Sequence, residues 1–180
     1  MDSVEITAGR QHLRAWQPGD ADAVHAACQD PDVQRWTSVP SPYTREDARV
    51  YVEEVSPAEW DAGTGAHFAV LDATTASLLA SVGLLGINRR RLLAELGYWC
   101  APQARGRGVV TQAATVLCRW GFAELGLQRI AWTAQLDNAA SWRVAQKIGF
   151  RHEGIARNGL DHRGTQVDAL VAGLVPADLV

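Results

Sequence analysis

Apolar residues recur along the chain with two periods, and the changes of period mark out the elements. Arg10 to Trp16 sets Leu13, Ala15 and Trp16 among polar residues, a first strand that Pro18-Gly19-Asp20 breaks. Ala23, Val24, Ala27 and Cys28 then form a helical stripe, which Asp30-Pro31 ends. Val33 to Pro42 is expected to be irregular. Thr44-Arg45-Glu46-Asp47 resembles a capping box and opens a helix burying Ala48, Tyr51, Val52 and Val55. Pro57 to Gly65, with Trp60, reads as a loop. His67 to Leu71 reads as a strand, and Leu78 to Ile87 is apolar enough for a strand buried on both faces. A hairpin tip at Asn88 to Arg91 leads into a strand from Leu92 to Cys100. Helical spacing runs from Val109 to Leu125, and Gly126 is a natural stop. Arg129 to Gln135 alternates as a strand. Asp137 or Asn138 caps a helix that buries Val144, Ala145 and Ile148 and halts at Gly149. Phe150 to Ala156 and Gln166 to Leu174 are two last strands around a loop from Arg157 to Gly164. The order β-α-α-β-β-β-α-β-α-β-β predicts an α+β (mixed α/β) fold. Its front half is largely antiparallel, a strand-helix-strand crossover follows, and helices cover both faces of one sheet.

Composition changes this picture little. At 180 residues, 47% apolar and 21% charged, the chain is expected to form a single domain over residues 1–180. A net charge of −3 points to no nucleic acid and no anionic membrane as partner. The most apolar window, Leu78 to Ile87, is too short to span a bilayer. Cys28, Cys100 and Cys118 are odd in number and lie among apolar residues, which fits a reducing compartment rather than a disulfide framework. With an acidic start, Met1 to Glu5, that lacks an apolar signal core, the expected location is cytoplasmic. His12, His25, His67, His152 and His162 have no metal-ligand spacing, so no metal is expected and each histidine reads as structural or surface.

The stretch with chemistry in it is Tyr98 to Val110. Its apolar strand ends at Pro102, an Arg- and Gly-rich segment follows, and a helix starts at once. Gly106 and Gly108 let the backbone turn tightly with its amides uncovered, and the helix adds its own unpaired N–H groups. Such a turn can cradle a phosphate or pyrophosphate, with Arg105 and Arg107 as charge. A strand-to-helix turn with solvated arginines explains the same residues. A dinucleotide-binding turn fits less well, because Thr111 stands where its third glycine belongs and a large β region precedes it.

Gln103-Ala104-Arg105-Gly106-Arg107-Gly108 resembles the cofactor motif Gln/Arg-x-x-Gly-x-Gly/Ala of the GNAT superfamily of acetyl-CoA-dependent N-acetyltransferases. Asn138-Ala139-Ala140-Ser141, leading through Lys147 to Gly149-Phe150, is similar to the family's later helix. Glu95-Leu96-Gly97-Tyr98-Trp99, Leu13-Arg14 and Asp30-Pro31 ahead of Trp36 look like the RimJ/RimL-like branch, the ribosomal-protein N-acetyltransferases. The resemblance implies a mixed, mostly antiparallel sheet with a splayed parallel strand pair. It implies acetyl-CoA as cosubstrate, its pyrophosphate held by backbone N–H groups from Gly106 to Val110, with Arg105 and Arg107 nearby. It places the pantetheine arm along Trp99, Cys100 and Ala101, with Asn138 on the far side of the splay. The implied acceptor is an amine, a protein N-terminus before an aminoglycoside, polyamine or amino acid. A non-catalytic acyl-CoA sensor shares the same features. A homodimer would be unsurprising.

In the implied reaction a neutral amine attacks the thioester directly, so no nucleophilic cysteine is needed. Holding the two reactants together is worth up to roughly 7–11 kcal/mol, and a backbone N–H near Trp99 or Cys100 could stabilise the oxyanion. Glu95, the acid on the strand entering the site, is the candidate base through water; pairing with the Arg89–Arg91 turn is its other reading. The family's usual Tyr after Asn138 is replaced by Ala145. Ser141, on the same helix face as Asn138, is the hydroxyl left to orient a water or bond the sulfur. Trp36, Tyr43 and Trp60 are the aromatics expected to wall the acceptor pocket, although core packing accounts for tryptophan equally well.

Overall fold

The computed structural model describes residues 1–179. Strands β1 (Ile6–Ala8), β2 (Gln11–Ala15), β3 (Ala66–Asp72), β4 (Leu78–Asn88), β5 (Leu93–Cys100), β6 (Arg129–Gln135), β7 (Arg151–His162) and β8 (Thr165–Leu174) form one sheet in the order β1-β2-β3-β4-β5-β6-β8-β7. Neighbours are antiparallel except β5 and β6. That parallel pair is short: Leu93 faces Arg129, Ala94 faces Ile130 and Glu95 faces Ala131. Beyond Glu95, β5 stays with β4 and β6 stays with β8, so the two strands part. The mixed, mostly antiparallel sheet with a splayed pair is therefore as expected.

Helices α1 (Ala21–Cys28), α2 (Pro31–Trp36) and α3 (Arg45–Val50) cover one face, burying Val24, Cys28, Val33 and Ala48 against Ala69, Leu71, Leu78 and Trp99. The other face is covered by α5 (Val109–Ala123), through Val110, Ala113, Ala114 and Leu117, and by α6 (Ala139–Ile148), through Ala145 and Ile148. Among the described residues no helix is long and apolar enough to cross a membrane.

The front half holds more structure than the pattern shows. Strand β1 was not expected. The irregular stretch after Asp30 begins with α2: Asp30 ends the first helix and caps the second, accepting from the amides of Asp32 (3.1 Å) and Val33 (3.0 Å), while Pro31 fits the first turn. The expected loop from Pro57 is instead α4 (Ser56–Ala62), joined to α3 by a π-helical turn at Tyr51–Val55. Pro57 has no N–H for the carbonyl four residues back, and its ring would collide with that carbonyl in a regular α-turn. A wider turn relieves both conflicts, so the helix continues. The loop expected from Arg157 shrinks likewise: β7 runs on to His162 through irregularities at His152/Gly154 and Ala156/Leu160.

Candidate active site

The turn after β5 has the geometry of an anion cradle. Gly106 and Gly108 take φ of +73° and +74°, and a Cβ on either would meet nothing within 4 Å. The first amide donating into α5 is that of Gln112, to the Gly108 carbonyl at 3.0 Å. Among the described residues the amides from Gly106 to Thr111 have no hydrogen-bond acceptor. Amides uncovered at the start of a fifteen-residue helix suit a phosphate ester.

Beside the cradle lies a cavity of about 420 Å³ lined by Trp99, Cys100, Arg105, Gly106, Gly108, Val109, Val110 and Asn138. Two residues expected there are absent from its wall. Ala101 is buried and donates its amide to the Leu79 carbonyl at 2.9 Å, so it belongs to the sheet. Arg107 is exposed and stands outside. Arg105 lines the cavity, but its guanidinium is engaged by Asp30 and Asp32, the latter at 3.3 Å. Burial alone would raise the Asp30 carboxyl; the Arg105 bond and the amides of Val33 and Asp32 outweigh it and hold the group below its usual range. The arginine thus ties the cradle to α2 instead of standing free as phosphate counter-charge. Arg143 and Lys147, which have no carboxylate partner among the described residues, reach the same wall from α6, one helical turn apart. Sequence reading missed both, though their spacing on the helix after Asn138 could have shown them.

A second cavity, of about 830 Å³, lies on the other side of the splay. Both cavities are lined by Trp36, Thr37, Tyr98, Trp99, Asn138 and Ser141, so the throat where they meet is made from β5, α2 and the start of α6. Alternation along β5 sends Glu95, Gly97 and Trp99 to the α1–α3 face, where Trp99 packs at 6.2 Å from Trp16. Glu95 is exposed and lines the larger cavity, on the last rung before the strands part. Asn138 is 9% exposed and caps α6 through Oδ1, which accepts the Ser141 amide at 3.1 Å. Its side-chain NH₂ has no protein acceptor among the described residues.

Tyr98, passed over as a site residue, holds the throat together. Its hydroxyl accepts from Trp132 Nε1 at 3.0 Å, and lies 2.8 Å from Ser141 Oγ and 3.1 Å from the Ser141 carbonyl. Burial pushes this phenol up to about 12. Its bonds to Trp132 and Ser141 fix the position of the serine hydroxyl at the throat.

Of the three aromatics expected to wall an acceptor pocket, two line the larger cavity. Trp36 lines both cavities, and Tyr43 lines the larger one while being 6% exposed. Trp60 is a correction. Helix α4 turns it into the core, 5.2 Å from Phe68 and 6.1 Å from Trp120, and its Nε1 donates to the His67 carbonyl at 3.1 Å. The β7–β8 hairpin reaches over the larger cavity. Arg163 at its tip donates to the carbonyls of Gln34 and Val39, the latter at 3.3 Å.

Residues 10–151 match the acetyltransferase (GNAT) domain family. The uncharacterised N-acetyltransferase YoaA of Bacillus subtilis (strain 168) is 27% identical over 170 residues, 94% of this chain and 96% of that protein. YdaF of the same organism, whose name proposes a ribosomal N-acetyltransferase, is 36% identical over 99 residues, 55% of this chain and 54% of that protein. A solved GNAT-family acetyltransferase from Bacillus anthracis superposes with a TM-score of 0.82 at 27% identity, covering 96% of this chain and 98% of that one.

Proposed function

Since the chain belongs to the GNAT acetyltransferase family and is an N-acetyltransferase, we propose that it uses acetyl-CoA to acetylate a protein N-terminal amine by direct attack in a ternary complex. The observation that carries this reading is the meeting of the two cavities at one throat, which gives a thioester carrier and an amine separate entrances to one point. The acceptor class is drawn from the similarity to YdaF and from a cavity wide enough for the first residues of a peptide.

Acetyl-CoA, when bound, supplies an acetyl group on a thioester. The uncovered amides of Gly106 to Val110 hold its pyrophosphate, with Arg143 and Lys147 adding charge. Trp99 and Cys100 give the pantetheine arm an unpaired strand edge, and the Asn138 NH₂ bonds it from across the splay. Glu95 draws the ammonium to the throat and takes its proton through water. The ladder bond from Ala101 to Leu79 makes Trp99–Ser81 a hydrogen-bonded pair and points the Cys100 amide away from β4, where it would polarise the thioester carbonyl. Ser141, fixed by Tyr98, gives a hydrogen bond to the sulfur as it leaves.

The test is thiol release from acetyl-CoA with a panel of amines: a peptide with a free N-terminus, the same peptide Nα-blocked, a polyamine and an aminoglycoside. Turnover with the free peptide alone supports the reading. Preference for a small amine overturns the acceptor class, and tight acetyl-CoA binding without turnover on any amine identifies a sensor.

A further inference from the structure

His67 stands on β3 in the wall of the larger cavity, its side chain 9% exposed. Its Nε2 lies 2.7 Å from a Glu59 carboxylate oxygen. Its Nδ1 lies 3.4 Å from the Tyr51 hydroxyl and 3.4 Å from where a Cβ on Gly83 would stand. An ionised carboxylate only accepts hydrogen bonds, so the proton of the neutral ring sits on Nε2, and Nδ1 keeps its lone pair on the Gly83 side. His67, Gly83 and Gly97 share one rung of the sheet. Gly83 puts no side chain of its own beside the ring, and the Ala66 carbonyl and Leu85 border the same spot. Glu95 lies on the next rung of the same face, about 10 Å from β3 at ordinary strand spacing.

Acetylation of an ammonium ion breaks two N–H bonds and one C–S bond and forms one N–C bond. One proton ends on the sulfur, and the other passes to a base and on to solvent. Glu95 is the first acceptor at the throat, and an imidazole in the wall of the same cavity can take the proton on from it. We propose that His67 is a second proton acceptor of the acceptor cavity, taking at Nδ1, through water, the proton that Glu95 has removed from the ammonium. Glu59 is its positioning residue: it fixes the tautomer and stabilises the imidazolium by charge. Tyr51, a hydroxyl on the π-helical turn 3.4 Å away, accepts from Nδ1 once that nitrogen is protonated. When the product departs, Nδ1 returns the proton to solvent. This rests on the acetyl transfer proposed above.

The test needs the wild type to turn over first; if it acetylates no amine, the reading of the function fails and not this assignment. Given turnover, His67→Gln is expected to lower kcat about a hundredfold, with KM for acetyl-CoA unchanged and the acid limb of the pH profile lost. The groups facing the ring are Tyr51 from the π-helical turn and Glu59 from α4. Asp47 from α3, Glu95 from β5, and Asp161, His162 and Arg163 from the hairpin stand round the same cavity, so the profile is also measured in Glu95→Gln. If both residues serve one relay, the double variant is no slower than the slower single one. Glu59→Gln, at a carboxylate 38% exposed, guards against misfolding of the histidine variant. It is expected to cost at least tenfold in kcat, because an amide can donate to Nε2 and move the ring proton to Nδ1. Nitrogen-15 NMR of the wild type is expected to show the Nε2–H form. An Nδ1–H tautomer, or kcat and pH profiles that both variants leave unchanged, overturns the assignment.

Discussion

Two single residues carry separable parts of the proposed chemistry. Glu95 sits where the strands part, on the acceptor side, and away from the cradle. Glu95→Gln is therefore expected to lower kcat, most strongly at low pH where the amine is almost all ammonium, by up to about a hundredfold. Acetyl-CoA affinity, measured by calorimetry, should stay within twofold or so, since no cradle contact is touched; equal rates for variant and wild type across the pH range would remove Glu95 from the mechanism. Gly106 carries the cofactor side. At φ +73° with nothing within 4 Å of an added Cβ, the obstacle to a side chain there is backbone strain and not a clash. Gly106→Val costs about 1–2 kcal/mol in that conformation and puts a branched side chain where the amides must stay uncovered. Acetyl-CoA affinity should fall about tenfold or more. Gly126→Val, strained alike at φ +66° beyond the far end of α5, should lose stability without losing affinity. Matching affinity losses in both variants would show a global effect and no cradle.

Among the elements, the link between α2 and the cradle is the one that responds to pH. The Asp30 carboxyl is held below the ordinary aspartate value in the folded chain, so the stability it adds is present above that ordinary value and is lost as pH falls through the lower, folded one. Acid should therefore loosen the turn from Ala101 to Gly108 before it unfolds the sheet, and hydrogen exchange of those amides should rise first. Asp30→Asn at neutral pH should reproduce this. It keeps the helix cap and drops the ion pair, a loss of at most about 1 kcal/mol because Arg105 is more than one-third exposed. If exchange at the turn is unchanged in the variant, Arg105 is not what holds it. The same elements show what the chain reveals before it folds. The strands from β3 to β6 and helix α5 are legible because each buries a regular period of apolar residues. The segments α2 and α4 are not, because prolines that read as breaks sit where a cap or a widened turn absorbs them. The far part of β7 is hidden by its polar run from Arg157 to Gly159, which an exposed, bulged edge strand tolerates. In the site, the glycine turn could be read from its residues, and the role of Asn138 only from the resemblance of its helix to the family's. The tie of Arg105 to Asp30, and the Tyr98–Ser141–Trp132 and Glu59–His67–Tyr51 contacts, join distant stretches that no local pattern brings together.

For the molecule as a whole, the proposed reaction can follow one of two kinetic schemes. A covalent route needs a nucleophile at the throat, and the cysteine nearest to it is Cys100, in the wall of the smaller cavity. Burial raises its thiol above the usual range even though Arg105 and Arg107 pull the other way, so little of it is thiolate at neutral pH. Cys28 and Cys118, buried on opposite faces of the sheet, are pushed up to about 12 by burial. The thiols are therefore poor nucleophiles, which favours the proposed ternary complex, in which carrier and amine react without the acetyl group being handed over. Initial rates against acetyl-CoA at several acceptor concentrations should give intersecting double-reciprocal lines, and Cys100→Ala should keep at least about half of the wild-type kcat. Parallel lines, or a burst of free CoA with no amine present, would mean that the acetyl group rests on the protein, and that the two cavities act in turn and not together.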